Sequence, residues 1–414
     1  MKPSPTADRE RTVLLLGTLD TKGEEFEFLR ERLGTAGVGT LLADVGTLEP
    51  ARASADITRD EVGAETGIDV AALGAAGDRG AAIAAMAEAA AQLTRRLYDE
   101  RRIHGVLSAG GSGNTAIATA AMQTLPVGVP KLMVSTMAAG DTSAYVGGVD
   151  VVMMPSVTDV AGLNSISSRI LANAAAAMAG MVLAHPPELA EGRPVVAATM
   201  FGVTTPCVTR AREALEQEGY EVLVFHATGT GGMAMEALVD SGFVSGVLDA
   251  TTTELCDDLV GGVLSAGPKR LEAAGQAGLP QVVSLGALDM VNFGPRNTVP
   301  PQFEERNLYV HNPSVTLMRT TRDECAELGR RVADKLARAT GPVSVFVPLK
   351  GVSMIDTEGQ PFHDPEADAA LFGALREGLS GTDVELVELE HNVNDEEFAI
   401  AMATRLHEYL EGRV

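Results

Sequence analysis

Short apolar runs, each released into a Gly/Ser/Thr-rich stretch and then a helical pattern, constrain this chain more than any other feature. The first is Thr12-Val-Leu-Leu-Leu-Gly17. A continuous run of that length suits a strand buried on both faces, as in a parallel sheet covered by helices. A polar loop over residues 18–23 follows, then a helix over residues 24–33, then a second strand over residues 40–44. Strand, helix, strand is the right-handed βαβ unit. The spacing predicts a long helix from about Arg79 to Glu100, a strand over 105–108, a helix from about Ala116 and a strand over 131–135.

At residues 185–194 three prolines and several charges mark a linker. The pattern then restarts, with strands over 195–199 and 220–225 and a helix over about 207–218. "GVL" at 105–107 recurs at 246–248, and "GVP" at 128–130 is echoed by "GLP" at 278–280. The expectation is α/β, with two Rossmann-like parallel-sheet lobes made by a diverged internal duplication. The lobes are residues 1–184 and 195–414, with an Ala- and acid-rich insertion at about 47–88 in the first and a cleft between the two. In open sheets ligands sit at the carboxyl ends of strands, where every Gly/Thr-rich stretch falls.

Composition closes off other classes. The 414 residues carry a net charge of -24, no Trp and only 4% aromatics. Such a chain repels nucleic-acid backbones and anionic membranes and offers few rings for base stacking. No apolar run approaches the roughly 20 residues of a membrane helix. Three scattered cysteines and a polar N-terminus without a signal peptide point to the cytoplasm.

Ser108-Ala-Gly-Gly-Ser-Gly-Asn-Thr115 is the leading candidate for a phosphate cradle. Gly110, Gly111 and Gly113 let backbone approach an oxygen-rich ligand, Ser112, Asn114 and Thr115 add short donors, and the helix start offers free N–H groups. It lacks the Lys-Ser/Thr of a Walker A loop. Gly17, Thr18, Asp20 and Lys22 form a second loop, in which Lys22 would neutralise phosphate and Asp20 would hold Mg²⁺. Ser135, Thr136 and Asp141, at the end of the neighbouring strand, would complete that site, with Asp141 the other metal candidate. In the second half Thr228-Gly-Thr-Gly-Gly232 reads as another anion cradle for a small-molecule substrate. His226 is a candidate acid or base there, Asp249 and Glu254 are candidate proton or metal carriers, and Cys207 is a candidate thiol at a helix start. Further on, His311 and Asn312 are candidate substrate contacts and Arg319 a carboxylate or phosphate clamp. The strand-end stretches at 348–353 and 391–395 are of the same kind, unranked. Each also has a plain structural reading as a cap, a turn or a core residue.

Several stretches together resemble an uncharacterised bacterial and plant family typified by the N-terminal ATP-binding domain of the tomato mosaic virus resistance protein. They are "GTLDTKGEE" (17–25), "SAGGSGNT" (108–115), "SSRILANAAAAMAGM" (167–181), "TMFGVTTPCV" (199–208) and "VFHATGTGGMAMEAL" (224–238). "GVLDATTTEL" (246–255), "GALDMVNFGP" (286–295), "HNPSVTLMRTT" (311–321) and "FHDPEAD" (362–368) continue the match in order. The resemblance implies two Rossmann-like lobes, ATP binding and self-association into a dimer or tetramer. The expectation is an ATP-dependent enzyme acting on a small carboxylated or phosphorylated metabolite. Its alternatives are a regulatory nucleotide-binding module and an ATP-independent lyase or hydrolase using Cys207 or His226.

Overall fold

A computed structural model describes residues 11–48, 50–184 and 192–412. The chain divides into two compact units, Met1–Glu188 and Leu189–Val414. Most of the expected linker, residues 185–191, lies outside the described residues.

The N-terminal unit runs β1 (Thr12–Gly17), α1 (Leu19–Thr35), β2 (Gly39–Asp44), α2 (Arg59–Ala64), α3 (Val70–Ala76) and α4 (Arg79–Asp99). It continues with β3 (Gly105–Gly110), α5 (Ser112–Met122), β4 (Lys131–Ser135), α6 (Ser143–Val146), β5 (Val152–Pro155) and α7 (Ser167–Leu183). Its sheet has the order β2-β1-β3-β4-β5, parallel throughout. Alternate residues of the apolar runs go to opposite faces, as the period of two requires. Leu14, Leu16, Val106 and Met133 pack on one side, against α4 and α5. Val13, Leu15, Leu107, Leu132 and Val134 pack on the other, against α1 and α7. This is why the strands read as unbroken apolar runs. The insertion supplies α2 and α3, started by a capping box at Thr58 and a side-chain cap at Asp69, and Asp78 caps α4.

The C-terminal unit runs β6 (Val195–Met200), α8 (Thr205–Gln217), β7 (Glu221–His226), α9 (Thr230–Asp240), β8 (Gly246–Asp249), α10 (Glu254–Val260), α11 (Ala273–Gln276) and β9 (Gln281–Ser284). Then come β10 (Met290–Phe293), β11 (Leu308–Asn312), β12 (Val315–Arg319), α12 (Arg322–Leu336), β13 (Val343–Pro348), α13 (Pro365–Leu379), β14 (Glu385–Leu389) and α14 (Glu396–Leu410). The main sheet, β14-β13-β9-β8-β6-β7, is parallel. Read from its first strand, this is the winding of the N-terminal unit with one strand added. The matched tripeptides fall on matched places. Val106 N–H donates to Pro130 O at 2.9 Å and Val247 N–H to Pro280 O at 3.0 Å, each joining a third strand to the entry of a fourth. That equivalence is the structural mark of the duplication.

Two local expectations change, and a third stretch folds in a way the sequence left open. The polar stretch 18–23 is not a loop but the first turn of α1: Asp44 Oδ1 accepts Leu19 N–H at 3.1 Å, and the helix kinks at Lys22 (φ -123°, ψ 24°). The stretch 109–115 shrinks to a single turn residue, Gly111, because β3 runs to Gly110 and α5 begins at Ser112. Asn114 closes the turn by donating to Ala109 O and Ser108 Oγ, both at 2.9 Å. Residues 309–321 hold β11 and β12, which with β10 form a separate antiparallel sheet between β9 and β13. Among the described residues no helix is long and apolar enough to cross a membrane.

Candidate functional site

In the N-terminal unit the strand order reverses between β1 and β3, since β2 lies to one side of β1 and β3 to the other. A crevice opens at the carboxyl ends of such a pair, and ligands bind there in open α/β sheets. Register puts Leu16 beside Ser108, so both chains leave the sheet side by side. Ser108 Oγ ties them together by donating to Leu16 O at 2.6 Å.

The two junctions differ in what remains free. The start of α1 is closed internally. Asp44 Oδ1 takes the N–H groups of Leu19 and Gly46, and its Oδ2 pairs with Arg59. Asp20 is buried and accepts Leu48 N–H at 3.1 Å. A Cβ on Gly17 would stand 2.7 Å from the Phe26 ring, so that glycine serves packing. Thr18 and Lys22 are half-buried at the same junction.

The start of α5 is open. Its N-cap residue, Gly111, offers no side-chain bond to the first turn, whose N–H groups have no preceding helical carbonyl. Ser112 is exposed, and Gly111 and Gly113 are half-buried. A Cβ on Gly111 would meet nothing nearer than Thr136 Oγ1 at 3.9 Å. Asn114, Thr115 and Ser135 face inward: Thr115 Oγ1 donates to Gly111 O at 2.8 Å and lies 2.7 Å from Ser135 Oγ. Their hydrogen bonds hold the turn. Beside it stands Arg79, the exposed first residue of α4. One of its guanidinium nitrogens is 3.8 Å from where a Cβ on Gly113 would be. Among the described residues Arg79 has no hydrogen-bond or ion-pair partner. The sequence reading missed it, because the only signal was a helix start after Asp78 in the insertion. A cation next to the positive end of a helix is unfavourable by itself, and an anion between them reverses the sign.

The expected metal ligands are not brought together. Asp141 is exposed and accepts from Ser143 N–H and Oγ, which holds its carboxyl below the usual carboxylate range. Among the described residues no group of three or more His, Cys, Asp or Glu could hold a metal ion.

In the C-terminal unit the expected anion cradle is already filled by the protein. Glu254 Oε1 accepts Gly229 N–H at 2.7 Å and Gly232 N–H at 3.0 Å, at the start of α9. A Cβ on Gly232 would lie 2.1 Å from Glu254 Oε2, and one on Gly231 would lie 1.8 Å from His226 O. The glycines of this loop therefore admit a carboxylate and backbone of the chain itself, while Thr228 is half-buried and Thr230 exposed. Beneath them the fully buried Arg270 bridges three acids. It donates to Asp249 at 2.5 and 2.7 Å, to Glu254 at 2.6 Å and to Glu236 at 3.3 Å. Thr199 Oγ1 donates to Asp249 at 2.6 Å. Asp249 and Glu254 are thus the paired halves of a buried ionic centre, and Arg270 was not anticipated.

Cys207 sits at the start of α8 but is wholly buried, and burial pushes its thiol up to about 12. That is opposite to the lowering expected of a nucleophile at a helix start. His226 is exposed, its ring 5.6 Å from that of Phe201. His311 and Asn312 are exposed on the edge strand β11. Arg319 faces inward. Its Nε donates to Phe362 O at 2.7 Å, its Nη1 to Thr320 Oγ1 at 2.8 Å and its Nη2 to Asp368 Oδ1 at 2.6 Å.

Family models match both units. The N-terminal domain of the uncharacterised protein family UPF0261 matches residues 11–187, and the C-terminal domain of that family matches residues 193–410. A UPF0261 protein of Clostridium tetani is 53% identical over 97% of this chain and 99% of its own length. The ToMV resistance protein Tm-1(GCR237) of Solanum lycopersicum is 42% identical over 94% of this chain and 54% of its own length, so the chain spans about half of that relative. Among solved structures, a UDP-N-acetylglucosamine 2-epimerase from Rickettsia bellii aligns over 66% of this chain and 78% of its own, at 10% identity and a TM-score of 0.23, too low to support any argument. With both of its units matched and a relative more than half identical along nearly its whole length, the chain belongs to the UPF0261 family.

Proposed function

We propose that the N-terminal unit binds a nucleotide, ATP, with its phosphates on the first turn of α5 between Gly111, Ser112 and Gly113 and the Arg79 guanidinium. The observation that carries this reading is Arg79, without a partner among the described residues, beside an uncapped helix start at the reversal of strand order. Backbone N–H groups and one guanidinium suit an anion in a chain of net charge -24, where long-range attraction is absent. Asp20 and Asp141 do not fit as Mg²⁺ ligands, one buried and bonded to Leu48 N–H, the other turned to Ser143. Mg²⁺ would arrive on the phosphates with its own waters. The reading extends to a cytoplasmic homo-oligomer that uses ATP on a small carboxylated or phosphorylated metabolite.

Calorimetry of the full chain with ATP, with and without Mg²⁺, tests it. Binding in the micromolar range, about 8 kcal/mol, is expected. Ser112→Asp, which puts a carboxylate where phosphate sits, abolishes it, and Arg79→Ala weakens it by about tenfold, within the worth of one charged hydrogen bond. Absence of binding in the parent chain, or full binding in Ser112→Asp, refutes the assignment. ATP that is bound but never turned over with any metabolite leaves a nucleotide-binding module.

A further inference from the structure

The stretch over residues 167–181 forms most of α7 and has no part in the nucleotide reading. With β5 it closes one end of the N-terminal unit. β5 is the last strand of its sheet, bonded to β4 on one side. Met153 packs toward α4 and α5, and Met154 toward α1 and α7. The connection that leaves β5 lies against the start of α7, where Ser156, Thr158 and Val160 meet Ser167, Ile170 and Leu171.

This end is almost free of charge. Over residues 142–184 the charged residues are Asp150, Asp159 and Arg169, in a chain of which 21% is charged. Asp150 is held by the buried Lys131 at 2.6 Å. Val152, Val157, Leu163 and Ile166 are exposed although apolar. Asn173, Ala176, Ala177 and Gly180 are exposed on the outer face of α7, and Met154 and Ile170 are half-buried. Loss of charged residues is what sets the core of an interface apart from other surface. Val157 is the sharpest case. It is 79% exposed with φ of +64°, a left-handed conformation that β-branched residues rarely take. Thr158 N–H donates to Ser156 O at 2.7 Å and Ser156 Oγ to Thr158 O at 2.6 Å, a tight turn that holds the valine outward. In a lone chain that strain presents an isopropyl group to water with no burial in return.

Charge and area indicate the occupant. Two copies at net charge -24 repel each other at long range. Repulsion is weakest where both faces carry almost no charge, and this face meets that condition. A partner of opposite charge would be drawn to the acidic surface instead. α7 has 17 residues, which makes it about 25 Å long and 10 Å wide. β5 and the connection add a second layer beside it. With its side-chain relief such a face approaches the roughly 800 Å² that a standard interface takes from each partner.

We propose that β5, the connection over residues 156–166 and the outer side of α7 pack against the same face of a second copy of this chain, across a two-fold axis. A strand of four residues that ends at Pro155 offers little ladder to extend. The contact is therefore made by side chains, with the exposed Val152, Val157, Leu163 and Ile166 leaving water. This names the contact face of the homo-oligomer in the reading above and rests on that part of it, not on the nucleotide.

Sedimentation equilibrium of the full chain at micromolar concentration tests the assignment. A particle of twice the 43.0 kDa of one chain is expected. Val152→Lys and Ile166→Lys, both at exposed positions, each weaken association by about tenfold or more, because an ammonium enters an apolar contact. Val263→Lys, at a position 63% exposed in the other unit, leaves association unchanged. Hydrogen–deuterium exchange of the parent chain needs no variant to fold. On dilution through the association range, exchange quickens in residues 152–166 and in α7 and holds steady elsewhere. A parent chain of 43.0 kDa, an assembly that both lysines leave intact, or exchange that responds elsewhere instead overturns the proposal. Ser112→Asp associates as the parent does, so failure of the nucleotide site and failure of this face are told apart.

Discussion

Replacing Arg270 with Met tests whether the C-terminal unit depends on its ionic centre. Arg270 is fully buried and makes three short contacts to Asp249 and Glu254 and a longer one to Glu236. Removing it leaves two fully buried carboxyls and a third mostly buried one with no cation. Breaking a buried pair from one side costs about 3–5 kcal/mol. For a unit of this size each kcal/mol moves the midpoint by about 2–4 °C, so a fall of roughly 6–20 °C is expected. The pH dependence identifies the cause. Burial already raises the Glu236 carboxyl, and Arg270 is what opposes that rise, so without Arg270 it rises further above its unfolded value of about 4. A group raised in this way contributes stability below its unfolded pKa and loses it as pH climbs through the folded one. The deficit of Arg270→Met against the parent therefore grows from pH 5 to pH 8. Adding Asp249→Asn and Glu254→Gln, which remove the stranded charges and keep acceptors for Gly229 and Gly232, recovers most of it. Urea midpoints at the two pH values are the assay. A loss below about 1 kcal/mol, or an equal loss at both pH values, refutes the argument.

Two other expectations use the same measurement or a simple label. Gly232→Ala drives a Cβ to 2.1 Å from Glu254 Oε2 and costs about 1–3 kcal/mol or more, whereas Gly34→Ala, in α1 with nothing within 4 Å, gains roughly 0.5–1 kcal/mol; equal effects would contradict the geometry. Cys207 resists iodoacetamide in the folded chain at pH 8 and reacts only in denaturant, since its thiol is raised to about 12 by burial; rapid labelling of the native protein would restore the nucleophile reading.

The fold was legible because each core strand is buried on both faces, so β1, β3, β4 and β6 stand out as apolar runs. The duplication was legible where backbone contacts repeat, at Val106 and Val247 and at Pro130 and Pro280. Residues 309–321 concealed a hairpin although Asn312-Pro313-Ser314 between two apolar runs is a turn signal. The side-chain partnerships were not legible at all. Glu254 reaches back 25 and 22 positions to fill the α9 cradle, and Arg319 reaches forward 37 and 49 to Asp356 and Asp368. A Gly/Thr-rich strand end looks the same whether its helix start is left without a side-chain cap, as at Gly111, or is filled by a carboxylate of its own chain, as at Gly229. Only the fold distinguishes them.

The repeated winding also bears on cooperativity. Each unit has its own sheet, sandwiched between its own apolar layers: Leu14, Val106 and Met133 with Val13, Leu107 and Leu132 in one, Val196, Leu248 and Phe346 with Val283, Val345 and Val347 in the other. Proteins built from more than one such core commonly depart from one-step melting. Two transitions are expected of this chain, one for each core. Arg270→Met should displace one of them and leave the other where it was, and nucleotide should do the reverse.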